Sequence, residues 1–341
     1  MRIGIDLGGT KTEIICLNKS NGKELYRKRI PTQRGDYDVT VRDIAALVTG
    51  AEKELKQTGT VGIGIPGTIS PDTGFVKNAN STWINGHPVD NDIAAALERP
   101  VRVENDANCF AVSESTDGAA EGRGVVFGVI VGTGCGGGLA INGSAHRGLN
   151  SIGGEWGHNP LPYPRVHLQD KNAHYDHFEA HPEAKDMLDL YFCDDAGLSE
   201  YPGPLCYCGR RGCLETWISG TGFKNDYVRV TGEALSTHDI IDEARAGKEK
   251  PVAALGRYTD RLARSLAQII NIIDPDIIVM GGGMSNVQAL YRDVPKLWEK
   301  YIFSDSVKTQ LVPALHGDSS GVRGAAWLWS REEGEGTSAS A

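Results

Sequence analysis

The chain has 341 residues, 40% hydrophobic and 23% charged, and a formal net charge of −9. That length suits roughly two ordinary domains; no apolar run reaches the ~18 residues of a membrane span, and the acidic balance argues against nucleic-acid binding, which needs a basic surface. The first residues lack the apolar core of a signal peptide, so the seven cysteines are expected as reduced thiols of a soluble, cytoplasmic protein.

In chain order, an apolar strand over residues 3–5 runs into Asp6-Leu7-Gly8-Gly9-Thr10-Lys11, and a second strand follows at 12–17. Further strands are expected at 61–65 and 101–103. Residues 117–124, rich in Gly and Ala, mark the boundary between an N-terminal α/β domain (1–118) and a C-terminal one (119–318). The second domain opens with a strand at 125–131, turns at Gly132-Thr133-Gly134-Cys135-Gly136, and continues as a strand at 138–141. Strand, glycine turn and strand therefore occur twice, as expected of a duplicated fold with a cleft between its halves.

Residues 163–204 are polar and His-rich and are expected to form a surface insertion. Residues 254–273 place Leu255, Tyr258, Leu262, Leu266, Ile269, Ile270 and Ile273 on one helical stripe. Asp274-Pro275-Asp276 stops that helix, and a buried strand at 277–280 enters Gly281-Gly282-Gly283. A last helix at about 319–331 is expected to pack back on the first domain, with Trp327 and Trp329 in packing roles and a disordered tail at 332–341. This alternation is an α/β pattern, with ligands at the C-terminal ends of the strands.

Gly4 to Thr12 evokes a P-loop but is not one: Thr10 stands between Gly9 and Lys11, and a strand follows where a P-loop opens a helix. A Gly-Gly-Thr hairpin can still present N–H groups and a hydroxyl to phosphate; the plainer alternative is an ordinary hairpin. Three glycine turns, each after a buried strand, favour a nucleotide cleft.

Cys206, Cys208 and Cys213 stand close together with glycines between them, and Gly154-Glu155-Trp156-Gly157-His158 lies upstream. Such spacing suits tetrahedral zinc better than disulfides. With His158 as fourth ligand the site is Cys3His, closed and structural; His167, His174, His177, His181 and Cys193 of the insertion are the alternative sources of that ligand. The metal would pin Glu155 and Glu215 beside it, as a polar substrate site requires. Cys16, Cys109, Cys135 and Cys193 have no partner at metal spacing and read by default as core or near-surface thiols. Trp83 and Trp156 could equally line a sugar pocket or pack.

Taken together, the Asp6–Lys11 turn, Glu104-Asn105-Asp106-Ala107-Asn108, Gly132-Thr133-Gly134, the Gly154–His158 run and the Cys206–Glu215 run resemble the ROK family of bacterial sugar kinases and repressors. Pro66-Gly67-Thr68-Ile69-Ser70, Lys77-Asn78-Ala79-Asn80-Ser81-Thr82-Trp83 and the stretch from His316 to Trp327 are most similar to bacterial fructokinases of the mannofructokinase type. The resemblance implies a two-domain actin-like ATPase (ribonuclease H-like) fold, a homodimer, and ATP-dependent phosphorylation of a free hexose, fructose favoured, at its primary hydroxyl. A glucokinase, mannokinase or N-acetylhexosamine kinase is the alternative, and a non-catalytic sugar sensor the remote one. The family's repressors carry a DNA-binding domain before the first strand, for which the Asp6 turn leaves no room.

By the same resemblance Asp106 is the general base, and the chemistry agrees, since a sugar hydroxyl is a poor nucleophile until a positioned carboxylate accepts its proton. Asn80, Asn105, Glu155, His158 and Glu215 match sugar-binding residues. Asp6 matches the carboxylate that helps hold Mg²⁺. Gly4, Gly8, Gly9, Thr10, Lys11, Thr133, Gly134, Gly281, Gly282 and Gly283 would meet ATP, and His158, Cys206, Cys208 and Cys213 would hold the zinc.

Overall fold

The computed structural model describes residues 1–167, 192–193 and 196–329. It is built on two five-stranded sheets of the same plan. The first comprises β1 (Arg2–Leu7), β2 (Lys11–Leu17), β3 (Glu24–Pro31), β4 (Thr60–Ile65) and β7 (Val101–Asn105), after a small hairpin of β5 (Thr68–Ile69) and β6 (Val76–Lys77). Its order is β3-β2-β1-β4-β7, antiparallel across the first three and parallel from β1 onward. The second comprises β8 (Val125–Val131), β9 (Cys135–Ile141), β10 (Ser144–Ala145), β13 (Ile277–Gly281) and β14 (Gln310–Pro313), with the short pair β11 (Val166–His167) and β12 (Phe192–Cys193) outside it. Its order, β10-β9-β8-β13-β14, repeats the same change from antiparallel to parallel.

Covered on both faces, the central strands read as unbroken apolar runs, and all those expected from the sequence form. β3 was not foreseen, because Arg27 and Arg29 on this exposed edge strand turn toward the buried Glu13 of β2 instead of alternating with apolar residues.

Helices α1 (Tyr37–Leu55) and α2 (Val89–Leu97) close one face of the first sheet over Ile44, Val48, Ile63 and Ile93. Asp36 caps α1 by accepting the Val39 N–H at 3.0 Å. Between the sheets runs α3 (Asp106–Asp117), buried from Ala107 to Ser115. The segment after it, 118–124, leads directly into β8, where the sequence placed a boundary. The second unit adds α4 (Glu215–Ile218), α5 (Gly220–Thr231), α6 (Thr237–Arg245), α7 (Glu249–Ile273) and α8 (Gln288–Trp298). On α7 the expected stripe is real: Tyr258, Leu262 and Leu266 are sealed in the largest core cluster, with Leu255 and Ile273 at its margin.

The last of the described helices, α9 (Ser320–Ala326), returns to the first sheet and to α3. A side chain on Gly4 or Gly62 would overlap its backbone, and one on Gly324 would overlap the Cys109 carbonyl of α3. Buried Glu114 ties α3 to this helix, accepting the Ser320 hydroxyl at 2.6 Å and the Leu315 N–H at 3.0 Å. α9 is shorter than expected: Trp327 caps it and Trp329 lies beyond, its indole donating to the Val61 carbonyl.

The insertion's two ends are tied together. The Glu200 N–H donates to the Arg165 carbonyl, the Arg165 N–H donates to the Glu200 carboxylate at 2.9 Å, and that buried carboxylate also meets Arg261 at 2.7 Å and Arg264 at 3.0 Å on α7. Burial alone would raise its pKa; the two guanidinium groups hold it below the ordinary value. Residues 168–191, including His174, His177 and His181, and the tail from 330 onward lie outside the described residues. Among those described, no helix is long and apolar enough to cross a membrane.

Candidate active site

The C-terminal ends of β1 and β7 meet at the N-terminus of α3. Asp6 closes β1, and the hairpin after it is set by the Gly8 N–H donating to the Lys11 carbonyl at 3.0 Å. Thr32 donates to the Gly8 carbonyl and Arg34 to that of Gly9, while Thr10 and Lys11 stay exposed. Asn105 caps α3, accepting the N–H groups of Ala107 and Asn108, and its amide nitrogen donates to the Gly67 carbonyl. One expected sugar ligand is thus largely occupied in fixing the helix start.

That start presents Asp106, whose side chain is solvent-accessible although densely surrounded by protein. Burial pushes it up to about 6, against the Ala107 N–H that stabilises the anion, with Glu155 adding to the rise. Asp6 is pushed up to about 7, by burial and then by the charges of Asp106 and Glu13. Two carboxylates with raised pKa, one of them raised in part by the other's charge, form a place suited to a divalent cation, whose charge would favour both anions.

The opposite wall is the Gly154–His158 turn. Gly154 has φ +90°, and a side chain there or on Gly157 would strike the backbone of β9. This close approach buries Trp156, which donates to the Gly136 carbonyl, and turns Glu155 outward. Trp156 is therefore a packing residue, and Trp83 likewise leans on the first core with its indole on Thr40. Glu215 opens α4 and accepts the Cys135 N–H at 3.1 Å, so the glycine turn and the zinc-loop carboxylate are joined. Asn80 is exposed on the loop after β6, which Asn85 steadies by bonding both ends of Ala79.

Ligand atoms of His158, Cys206, Cys208 and Cys213 all lie within 4.8 Å of one another. Cys208 and Cys213 sulfurs are 3.6 Å apart, and His158 Nδ1 is 3.6 Å from the Cys206 sulfur. Those separations are close to the ~3.8 Å edge of a tetrahedron with Zn–S bonds of about 2.3 Å, and too long for a disulfide. Of the described histidines, His158 and not His167 joins the cluster. Its other nitrogen, Nε2, lies 2.9 Å from the hydroxyl of Tyr207, a largely exposed residue between two of the cysteines.

Beyond the Gly132–Gly134 turn, a cavity of about 500 Å³ is lined by Thr133, Thr221, Lys224, His238 and Gly283 among others. Ser219 caps α5 there and Thr221 donates to the Thr133 carbonyl. Some glycines expected near nucleotide are used differently: Gly4 lies under α9, Gly281 is pressed on Phe110, and Gly282, at φ +79°, packs against Val131.

A family model described as "ROK family" matches residues 2–332. The chain belongs to the ROK family. Among curated relatives it is 38% identical over 328 residues to an N-acetyl-D-glucosamine kinase of Yersinia pseudotuberculosis serotype O:1b (strain IP 31758), covering 96% of this chain and 98% of that protein. The corresponding kinase of Haemophilus influenzae (strain 86-028NP) is 36% identical over 329 residues, covering 96% and 99%. The ROK hexokinase of Thermus thermophilus superposes with a TM-score of 0.77 at 25% identity, covering 97% of this chain and 98% of its own. The architecture is thus the actin-like sugar-kinase fold of ROK proteins. The two curated relatives are named as kinases of N-acetyl-D-glucosamine, where the motif resemblance favoured fructose.

Within this ROK chain, the sequence reading missed the cavity residues Thr221, Lys224 and His238, which sit on two helices and share no linear motif. The one available signal was Ser219-Gly220-Thr221-Gly222, a capped, glycine-rich helix start. Tyr207 was missed because a residue between two cysteine ligands draws attention only to the cysteines.

Proposed function

We propose that this ROK-family sugar kinase transfers the γ-phosphoryl group of ATP to the primary hydroxyl of an N-acetylhexosamine, foremost N-acetyl-D-glucosamine. The observation that carries the sugar assignment is the near full-length similarity to N-acetyl-D-glucosamine kinases; the kinase class rests on the family and on the Asp6–Asp106 pair beside a glycine turn. In this reading residues 1–118 with the returning α9 form one lobe, and 119–318 the other. ATP occupies the cavity at Thr133 and Gly283, Asp6 with Lys11 faces its phosphates, and Asp106 takes the hydroxyl proton as the phosphoryl group transfers in line. Glu155, Glu215 and Asn80 orient the sugar. Mg²⁺, held through Asp6, supplies charge neutralisation of the phosphates. Zinc on His158, Cys206, Cys208 and Cys213 fixes the wall that carries the two glutamates.

Tyr207 changes the part assigned to His158. With Nδ1 on the metal, Nε2 carries the ring proton and donates it to the tyrosine oxygen. The tyrosine O–H is then the group offered to the sugar. Tyr207→Phe is expected to raise KM for the sugar roughly five- to tenfold, the weight of one net hydrogen bond of about 1 kcal/mol, with kcat and bound zinc unchanged. An unaltered KM would place the sugar on His158 directly.

ADP release from ATP·Mg²⁺ measured over a hexose panel tests the reading. N-acetyl-D-glucosamine should give the highest kcat/KM. Fructose leading would restore the fructokinase reading, and no turnover with any sugar would make the protein a sensor.

A further inference from the structure

We propose that Arg147 is a positioning residue for the reaction: it holds the corner between β7 and α3 that presents Asp106, and ties that corner to the turn that carries Glu155. The inference rests on the kinase reading above, with Asp106 as the base. It starts from two residues of the Glu104–Asn108 run that the mechanism leaves without a part, Glu104 and Asn108, both of them buried.

The Glu104 side chain is 3% exposed, and both of its carboxylate oxygens are used. Oε1 accepts the Asn105 N–H at 2.9 Å and the Asn108 side-chain amide at 3.1 Å. Oε2 accepts Arg147 Nε, while Nη2 of the same guanidinium donates to the Val103 carbonyl. Asn108 in turn accepts the Leu139 N–H of β9 at 3.2 Å. Asp106 is thus fixed from both sides. The residue before it, Asn105, has its N–H held by Glu104 and its side chain spent on capping α3. The helical turn after it is fastened through Asn108 to the second sheet. A buried carboxylate is costly without a cation beside it, and Arg147 is the cation that pairs with this one.

Arg147 fills no core. Its side chain is 50% exposed, yet its bonds run inward to one side-chain and one main-chain acceptor of β7, an arrangement that a planar guanidinium fork suits. Its main chain belongs to the second unit. It follows β10, and its carbonyl accepts the Gly153 N–H at 2.8 Å. That bond closes the turn over 147–153, directly ahead of Glu155. A side chain on Gly153 would strike the His146 carbonyl and the Arg147 backbone, which keeps the turn tight. One residue therefore holds the base corner with its side chain and the Glu155 turn with its main chain. A misplacement of about 1 Å at reacting groups can cost about 100-fold in rate, so a tie of this kind acts on kcat.

The test is a double-mutant cycle on the full-length enzyme at saturating concentration of the best sugar of the panel, with turnover expressed per folded protein. Arg147→Met keeps a stem and removes every donor. It should lower kcat by about tenfold to 100-fold and leave KM for ATP unchanged, because neither Arg147 nor Glu104 lines the cavity at Thr133 and Gly283. Placed in Asp106→Asn, the same substitution should cost less than about twofold, since the base through which Arg147 acts is gone. A merely structural arginine would cost the same factor in both backgrounds. Arg147→Lys keeps the charge and loses the planar fork; it should lose about threefold, again only while Asp106 is present, and it decides the matter if the methionine variant does not fold. An unchanged kcat, or an equal loss with and without Asp106, overturns the proposal. Near-normal turnover of Asp106→Asn alone overturns the base assignment and this proposal with it, whereas a deep loss there without coupling to Arg147 overturns the proposal only.

Discussion

Asp106→Asn is expected to lower kcat by about 100- to 10,000-fold, the usual contribution of a positioned general base, with sugar affinity and melting temperature near wild type. The amide retains the shape of the side chain and can still accept the Ala107 N–H that Asp106 holds at 2.8 Å, so the helix start survives while proton acceptance is lost. Near-normal turnover would remove Asp106 from the base role. The same group sets a pH dependence. Its folded pKa is raised to about 6, the base form is the anion, and the rate is therefore full above that value and lost as pH falls through it. A plot of log kcat/KM against pH should bend near 6 and descend with unit slope on the acid side in wild type. The residual rate of the variant should show no bend from this group.

Loss of the zinc cluster is the second large effect. Cys213→Ser is expected to abolish bound zinc and to lower both thermal stability and sugar binding. A structural zinc contributes on the order of 10 kcal/mol in small isolated metal domains. Here the cost is expected to be smaller, because Leu161 and Gly212, Leu214 and Asn159, and Glu215 and Gly157 also join the loop to the His158 segment through backbone bonds. Zinc content by elemental analysis, melting temperature and sugar affinity should fall together. A zinc-free variant with wild-type stability and affinity would contradict the structural role.

The parts of this molecule legible in its sequence are those governed by local chemistry. Strands buried on both faces betray themselves as apolar runs, and a helix such as α7, with one face in the core, shows its stripe. The cluster of His158 with three cysteines was legible because the cysteines are neighbours in sequence. α3 was harder to read: it is buried from Ala107 to Ser115 with polar Asn108, Ser113, Glu114 and Ser115 included, so no apolar stripe stands out in its sequence. Glycine was ambiguous, since Gly4 and Gly281 meet the same sequence criterion as Gly283 yet are spent on close packing. The sugar preference is not legible in the motifs for a related reason. Gly67 lends its carbonyl to Asn105, and His316 and Arg323 both bind Asp117 beside α9. Those motifs, taken as marks of a fructokinase, build the scaffold that places the site, and a scaffold does not read ring form or an acetamido group.

The return of α9 to the first sheet orders events during synthesis. β1 and β4 leave the ribosome early, but the face of the sheet at Gly4 and Gly62 stays uncovered until residues 320–326 have emerged. The second unit, whose core around Tyr258 and Leu262 draws on residues up to Leu311, can close first. The amino-terminal sheet must then wait, with an apolar face exposed, for α9. A chain truncated just before residue 320 should therefore hold a protease-resistant second unit joined to a protease-sensitive first one, and the first sheet is where a chaperone would be needed.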